Sequence, residues 1–192
     1  MFTTPFWHFS VKDTNIQDKH KTKLLCFFEE WSKEHPEADD KREVLTDYHS
    51  YSPNNQRPPY FSYVVDALSG PLNDFFDNLG QKLEFGDLWF QQTKNYQRHS
   101  LHNHGSHGFS VIWYLEFDPD VHYPTKFYSP FPSALNRFSI GEKEIDTKEG
   151  DLVIFPSFLL HEQRPSFSDK RRTIVSFNLK EQEKYYNLTE QI

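Results

Sequence analysis

His99–Leu115 reads HSLHNHGSHGFSVIWYL, and it is answered by Gly150–Leu179, GDLVIFPSFLLHEQRPSFSDKRRTIVSFNL. In the first stretch His102 and His104 stand two apart, just before an unbroken β-type run, Phe109–Phe117. Side chains two apart on an extended strand share a face, so both imidazoles can aim at one point, which a metal could occupy. In the second, His161 closes one β-type run and Arg172 opens the next, Arg172–Leu179. A histidine pair, a distant histidine and a guanidinium one strand further on make a facial metal site with an anion clamp beside it.

The bland alternative has weight. Four of the ten histidines, His99, His102, His104 and His107, crowd into residues 99–107, and a histidine-rich loop is often only solvated. The distant His161 and the basic residue after it raise the metal reading above that. His99 and His107 read as rim residues rather than ligands. Glu116 and Asp118 lie too far along the strand to serve. Glu162 alternates away from the site, and Gln163 reads as an edge residue. Of the two adjacent arginines only one can face inward, and Arg172 shares its parity with Ile174 and Ser176.

Outward from these stretches, the texture of residues 82–180 is β: Leu83–Thr93, His99–Phe117, Arg137–Ile140, Glu144–Ile145, Leu152–Leu160 and Arg172–Leu179 are short, aromatic or β-branched, and divided by turn residues. The Pro- and Tyr-containing insert Asp118–Asn136 reads as a long loop at the mouth of a barrel. Residues 1–81 are helical support. A short edge strand lies within 1–18, and His20–His35 forms a helix that Pro36 stops. Tyr48–Pro59 is a loop. Tyr60–Leu79 forms a helix kinked or broken at Ser69-Gly70-Pro71, with Pro71 opening a second short helix and Gly80 capping its end. Residues 181–192 are a polar tail. The expectation is one α+β domain whose β part is a sandwich or barrel.

The composition bounds the rest. At 192 residues one domain with a sizeable core is expected, and 19 Phe supply much of the buried area. Net charge is −7 with no basic cluster, which disfavours nucleic acid as a partner. The single cysteine, Cys26, excludes a disulfide framework and suits a cytoplasmic setting. The N-terminus lacks a signal-peptide pattern, and no apolar run reaches membrane-spanning length.

The two stretches resemble the double-stranded β-helix, a jelly-roll or cupin-like core, of iron(II)- and 2-oxoglutarate-dependent oxygenases. They most resemble a bacterial and phage group with prolyl-hydroxylase-like features. The residues that carry this are His102-Asn103-His104, Trp113-Tyr114-Leu115, Gly150-Asp151-Leu152, Phe155-Pro156-Ser157 with His161, and Arg172 with Ser176-Phe177-Asn178, across roughly residues 84–179. The resemblance implies a dioxygenase, a hydroxylase of an unidentified substrate, that decarboxylates 2-oxoglutarate to succinate with dioxygen as co-substrate. It implies His102, His104 and His161 as iron(II) ligands, with His104 in the place of the usual carboxylate. It also implies that Arg172, Tyr114 and Ser176 bind the far carboxylate of 2-oxoglutarate. If the chain is phage-encoded, its compartment is the host cytoplasm.

Two other readings of the same residues stand beside it: a cupin-like three-histidine metal protein, dioxygenase or isomerase, that does not use 2-oxoglutarate, and a non-catalytic jelly-roll module. The aromatic insert points to a small-molecule or peptide substrate. The N-terminal helices either brace the larger sheet or form a homodimer face.

Overall fold

The structure is a computed structural model that describes residues 4–11, 14–39, 43–132 and 140–181, giving only the backbone of residues 14–17. Among these, the strands in chain order are β1 (Trp7–Ser10), β2 (Leu45–Thr46), β3 (Glu84–Thr93), β4 (His99–His102), β5 (Phe109–Glu116), β6 (Lys126–Pro132), β7 (Ile140–Glu144), β8 (Asp151–Pro156), β9 (His161–Gln163) and β10 (Arg172–Lys180). They form a six-stranded sheet, β1-β8-β5-β10-β3-β2, and a four-stranded sheet, β4-β9-β6-β7. The helices are α1 (Thr14–Glu34), the one-turn α2 (Tyr48–Tyr51) and α3 (Phe61–Leu79).

Alternation along the larger sheet builds two cores. Leu88 and Phe90, Val111, Trp113 and Leu115, Leu152 and Ile154, and Val175, Phe177 and Leu179 face α1 and α3 and bury with Leu24, Phe28, Val64, Leu68, Leu72 and Phe75. The opposite parity, Ile112, Tyr114, Val153, Phe155 and Ile174, meets Phe127 of the smaller sheet. The helices therefore cover the outer face of the larger sheet, as expected. Phe28 stacks on Phe90 with centroids 4.3 Å apart, which ties α1 to β3. Period two does the sorting: the face that carries Val175 and Phe177 goes to the helices, and the face that carries Arg172 and Ser176 goes inside.

Several expectations are corrected. The second helix is continuous through Pro71 rather than broken there. Buried Val64, Ala67, Leu68, Leu72 and Phe75 lie on both sides of the proline. Burying Leu72 and Phe75 alone contributes roughly 3–6 kcal/mol, at least the ~3 kcal/mol that an interior proline costs. Gly80 does cap the helix, in the left-handed conformation at φ 72°. The first helix starts six residues before His20. Within Tyr48–Pro59, read as a loop, there are α2 and a 3-10 turn at Ser52–Asn54. The buried Asp47 carboxylate holds that segment down, accepting hydrogen bonds from the Tyr60 hydroxyl at 2.6 Å and the Phe90 amide at 2.9 Å. Burial pushes its pKa up to about 7.

The stretch 99–117 is two strands in different sheets, and 152–160 ends at Pro156 in a turn before β9. The insert Asp118–Asn136 contains a strand, β6, between β9 and β7. Residues 133–136 of that insert, the strand start Arg137, the first three residues and all of the polar tail beyond Glu181 lie outside the described residues. The expected edge strand is β1, which among the described residues pairs only with β8. Asp151 of the Gly150-Asp151 pair clamps it, binding His8 Nε2 at 2.8 Å and Ser10 Oγ at 2.6 Å. No helix among the described residues is long and apolar enough to cross a membrane.

Candidate metal centre

One ring nitrogen from each of His102, His104 and His161 lies within 4.8 Å of the other two. The means of convergence differs from the expected one. His102 ends β4 and pairs in register with His161 at the start of β9, which places those two rings 4.3 Å apart. His104 is not on the strand; it sits in the turn after it, where its backbone amide donates to the Ser157 carbonyl at 2.9 Å. That turn folds its ring back to 5.2 Å from His102 and 5.0 Å from His161. The turn closes at Gly108, φ 82°, where a Cβ would come within 2.3 Å of the Leu179 carbonyl oxygen.

In all three rings Nδ1 is engaged by an oxygen. His102 Nδ1 meets the Ser100 carbonyl at 2.7 Å, and His161 Nδ1 meets the Leu159 carbonyl at 2.9 Å. His104 Nδ1 meets Asn178 Oδ1 at 2.9 Å, with Ser110 Oγ at 3.0 Å. A carbonyl partner fixes the proton on Nδ1 and leaves Nε2 with its lone pair free, the arrangement that orients an imidazole for metal. Burial lowers the pKa of every one: His161 falls well below its ordinary value, His104 to about 4, and His102 also falls. The rings are therefore neutral at pH 7 and ready to ligate. An all-imidazole donor set suits a divalent first-row ion, iron among them.

Arg172 is the second feature. Its side chain points into the interior, 2% exposed, in one cavity with His99, His102, His104, His161, Gln163 and Ser176. Nη1 donates to Gln163 Oε1 at 2.8 Å and Nη2 to Thr125 Oγ1 at 3.4 Å, while Nε has no hydrogen-bond partner. The guanidinium lies 5.2 Å from the Tyr114 ring centroid, and the Tyr114 hydroxyl donates to Thr125 Oγ1 at 3.0 Å. Among the described residues no carboxylate pairs with it. Burial therefore lowers its pKa from the ordinary value, with the Tyr114 side chain acting in the opposite direction. Arg171 turns the other way, into a bidentate pair with Glu116 at 2.8 and 2.9 Å.

The remaining residues sort clearly. Ser176 is buried and lines the cavity, on the same face of β10 as Arg172, while Tyr114 is buried behind it against the guanidinium. Glu162 takes a hydrogen bond from the Tyr128 hydroxyl, and Asp118 pairs with Lys170, so neither competes for the metal. His107 is exposed. The His99 ring lies tilted against that of His102 with centroids 4.0 Å apart, and burial pushes its pKa down to about 3. Gln163 is corrected from edge residue to a buried one: its amide bridges Arg172 and Thr93 Oγ1, the latter at 2.7 Å. Sequence reasoning gave no role to Asn178, Ser110 or Thr125. Asn178 could have been found, since it shares the inward parity of Arg172 and Ser176.

A wider cleft opens beside the imidazoles, lined by Tyr48, Asp87, Trp89, Gln91, Asn178 and Lys180 among others. Residues 87–178 match the family model described as "Putative 2OG-Fe(II) oxygenase". No curated protein matches the sequence. Among solved structures, the chain is similar to a Pseudomonas putida prolyl-4-hydroxylase, at 13% identity over 94% of this chain and 95% of that one, TM-score 0.63. It is also similar to a viral collagen prolyl hydroxylase from Paramecium Bursaria Chlorella virus-1 in its 2OG complex, at 12% identity over 93% and 96%, TM-score 0.61. A third is HygX from Streptomyces hygroscopicus with nickel and 2-oxoglutarate bound, at 13% identity over 93% and 83%, TM-score 0.59. At such identities the likeness is one of fold: a double-stranded β-helix of mostly antiparallel sheets with few helices.

Proposed function

We propose that this chain is an iron(II)- and 2-oxoglutarate-dependent dioxygenase that hydroxylates its substrate while 2-oxoglutarate is decarboxylated to succinate. One observation carries it: a buried guanidinium without a carboxylate partner shares a cavity with three imidazoles whose Nε2 atoms are free. That pairing offers the two contacts a dicarboxylate takes, a metal for one end and the Arg172 guanidinium for the other. His102, His104 and His161 would hold the iron, which would activate dioxygen with two electrons drawn from 2-oxoglutarate as it is decarboxylated. In the balanced reaction one oxygen atom enters a substrate C–H bond, the other enters succinate, and carbon dioxide leaves.

The chain's own part is binding and orientation. Gln163 and Thr125 hold the guanidinium plane with neutral oxygens, so its charge stays available to the ligand. Tyr114 and Phe117 lie against the guanidinium, at 5.2 and 5.8 Å, and keep water from it. Ser176 adds a hydroxyl on the same wall. Neutral imidazoles need lose no proton on binding metal. They also leave the ion its full charge, where a carboxylate ligand would reduce it. That all-imidazole set is the observation that favours the second reading, a three-histidine metal protein without 2-oxoglutarate; the unpaired Arg172 speaks against it.

The test is an anaerobic titration of apoprotein with iron(II) and then 2-oxoglutarate, followed by the visible charge-transfer band of the chelate. The band should form in the wild type, vanish in His161→Ala and weaken strongly in Arg172→Ala. Iron binding without a band would select the second reading.

A further inference from the structure

The cleft beside the imidazoles holds an unspent carboxylate. Among the described residues Asp87, on β3 and half-buried, has neither a hydrogen bond nor an ion pair, and it lines the same cleft as Tyr48 and His104. Two residues along the same face stands Trp89. Its ring, buried but for 4% of its surface, meets Tyr48 edge-on at 5.1 Å and His104 at 5.2 Å, so a row of rings in contact joins Tyr48 to a metal-binding imidazole. Lys180 also lines the cleft, but its stem lies across Gly86, where a Cβ would meet Lys180 Cε at 3.2 Å, and the side chain is exposed.

A planar cation satisfies both features at once. A guanidinium meets a free carboxylate with two hydrogen bonds and lies flat on aromatic rings, which an ammonium does less well. A step of two strand residues, about 7 Å, separates Asp87 from Trp89, roughly the length of one extended arginine stem. We infer that this cleft takes a guanidinium-bearing substrate, an arginine side chain, with its head on Asp87 and its stem along Trp89 towards the metal centre. This rests on the oxygenase reading, in that a carbon of the stem is then the one presented for oxidation.

The probe is Nα-acetyl-L-arginine amide, titrated into the metal-loaded protein and followed by tryptophan fluorescence. Of the four tryptophans, Trp7, Trp31 and Trp113 pack in the helix-side core, and Trp89 alone of them lines the cleft. Saturable quenching is expected, lost in Trp89→Phe and shifted to about tenfold higher concentration in Asp87→Asn, the step worth ~1.4 kcal/mol. Raised salt should weaken it too. Equal binding of the neutral citrulline amide or of the lysine amide overturns the assignment, as does indifference to Asp87→Asn. The charge-transfer band is read in the same samples. A band without arginine binding sinks this inference alone. Arginine binding without a band sinks the oxygenase reading and leaves the cleft as a guanidinium site.

Discussion

Gln163 touches Arg172 through a neutral oxygen at 2.8 Å, and the neutrality matters more than the contact. An amide fixes the fork without spending its charge; a carboxylate at the same place would occupy it. Gln163→Glu should therefore raise the Kd for 2-oxoglutarate at least about tenfold with little change in metal affinity, read from the same charge-transfer titration. Unchanged affinity would mean that Arg172 is not the anion's partner. Asn178 works through His104, whose Nδ1 it meets at 2.9 Å. Asn178→Ala should cost roughly 10- to 100-fold in metal affinity, measured by chelator competition. The three histidines were legible in the sequence by residue type and Arg172 by type and parity, but parity does not bring His104 in, since it reaches the other two rings from the turn after β4. Gln163 and Thr125 were not legible, because a buried amide or hydroxyl carries no mark until a charge is placed beside it.

Elements were legible where one face is apolar and obscure where contacts override local preference. β10, with Val175, Phe177 and Leu179 on one face and Arg172, Ile174 and Ser176 on the other, announces itself. β6 does not, because Pro130 and Pro132 read as loop; the register shift between Tyr128 and Pro132 is how the sheet accommodates them. The continuous α3 is a second instance. Replacing Pro71 with Ala should stabilise the fold by about 1–2 kcal/mol in chemical denaturation, since the helix gains an amide donor and loses a steric conflict, less the entropy that proline removes from the unfolded chain. Gly108→Ala should do the reverse and cost more than about 3 kcal/mol, with a Cβ 2.3 Å from the Leu179 oxygen and φ 82°. That glycine also sets the turn that carries His104, so its loss should weaken metal binding in whatever fraction still folds.

Across the whole molecule two sets of buried groups give stability opposite slopes with pH. The Asp47 carboxyl titrates near 7 when folded against 3.8 ordinarily, so its contribution is complete below 3.8 and is lost as pH rises to about 7. The imidazoles run the other way: their contribution is present above 6.5 and is lost as pH falls through about 4 for His104 and about 3 for His99. Between 6.5 and 4 the two oppose each other. In metal-free Asp47→Asn the denaturation midpoint should fall steadily across that window, where the wild type changes less. Identical profiles would remove Asp47 from the account.

The turn that brings His104 to the other two rings has one more consequence. His102 and His161 belong to the smaller sheet, while His104 is moored through Asn178 and Ser110 to β10 and β5 of the larger one. An ion held by all three would be a rivet through the open end of the jelly roll, with each sheet gripping one side of it. Loading the metal should then slow amide hydrogen exchange in β4 and β9, the short strands that carry His102 and His161, and leave α1 on the far face exchanging as before.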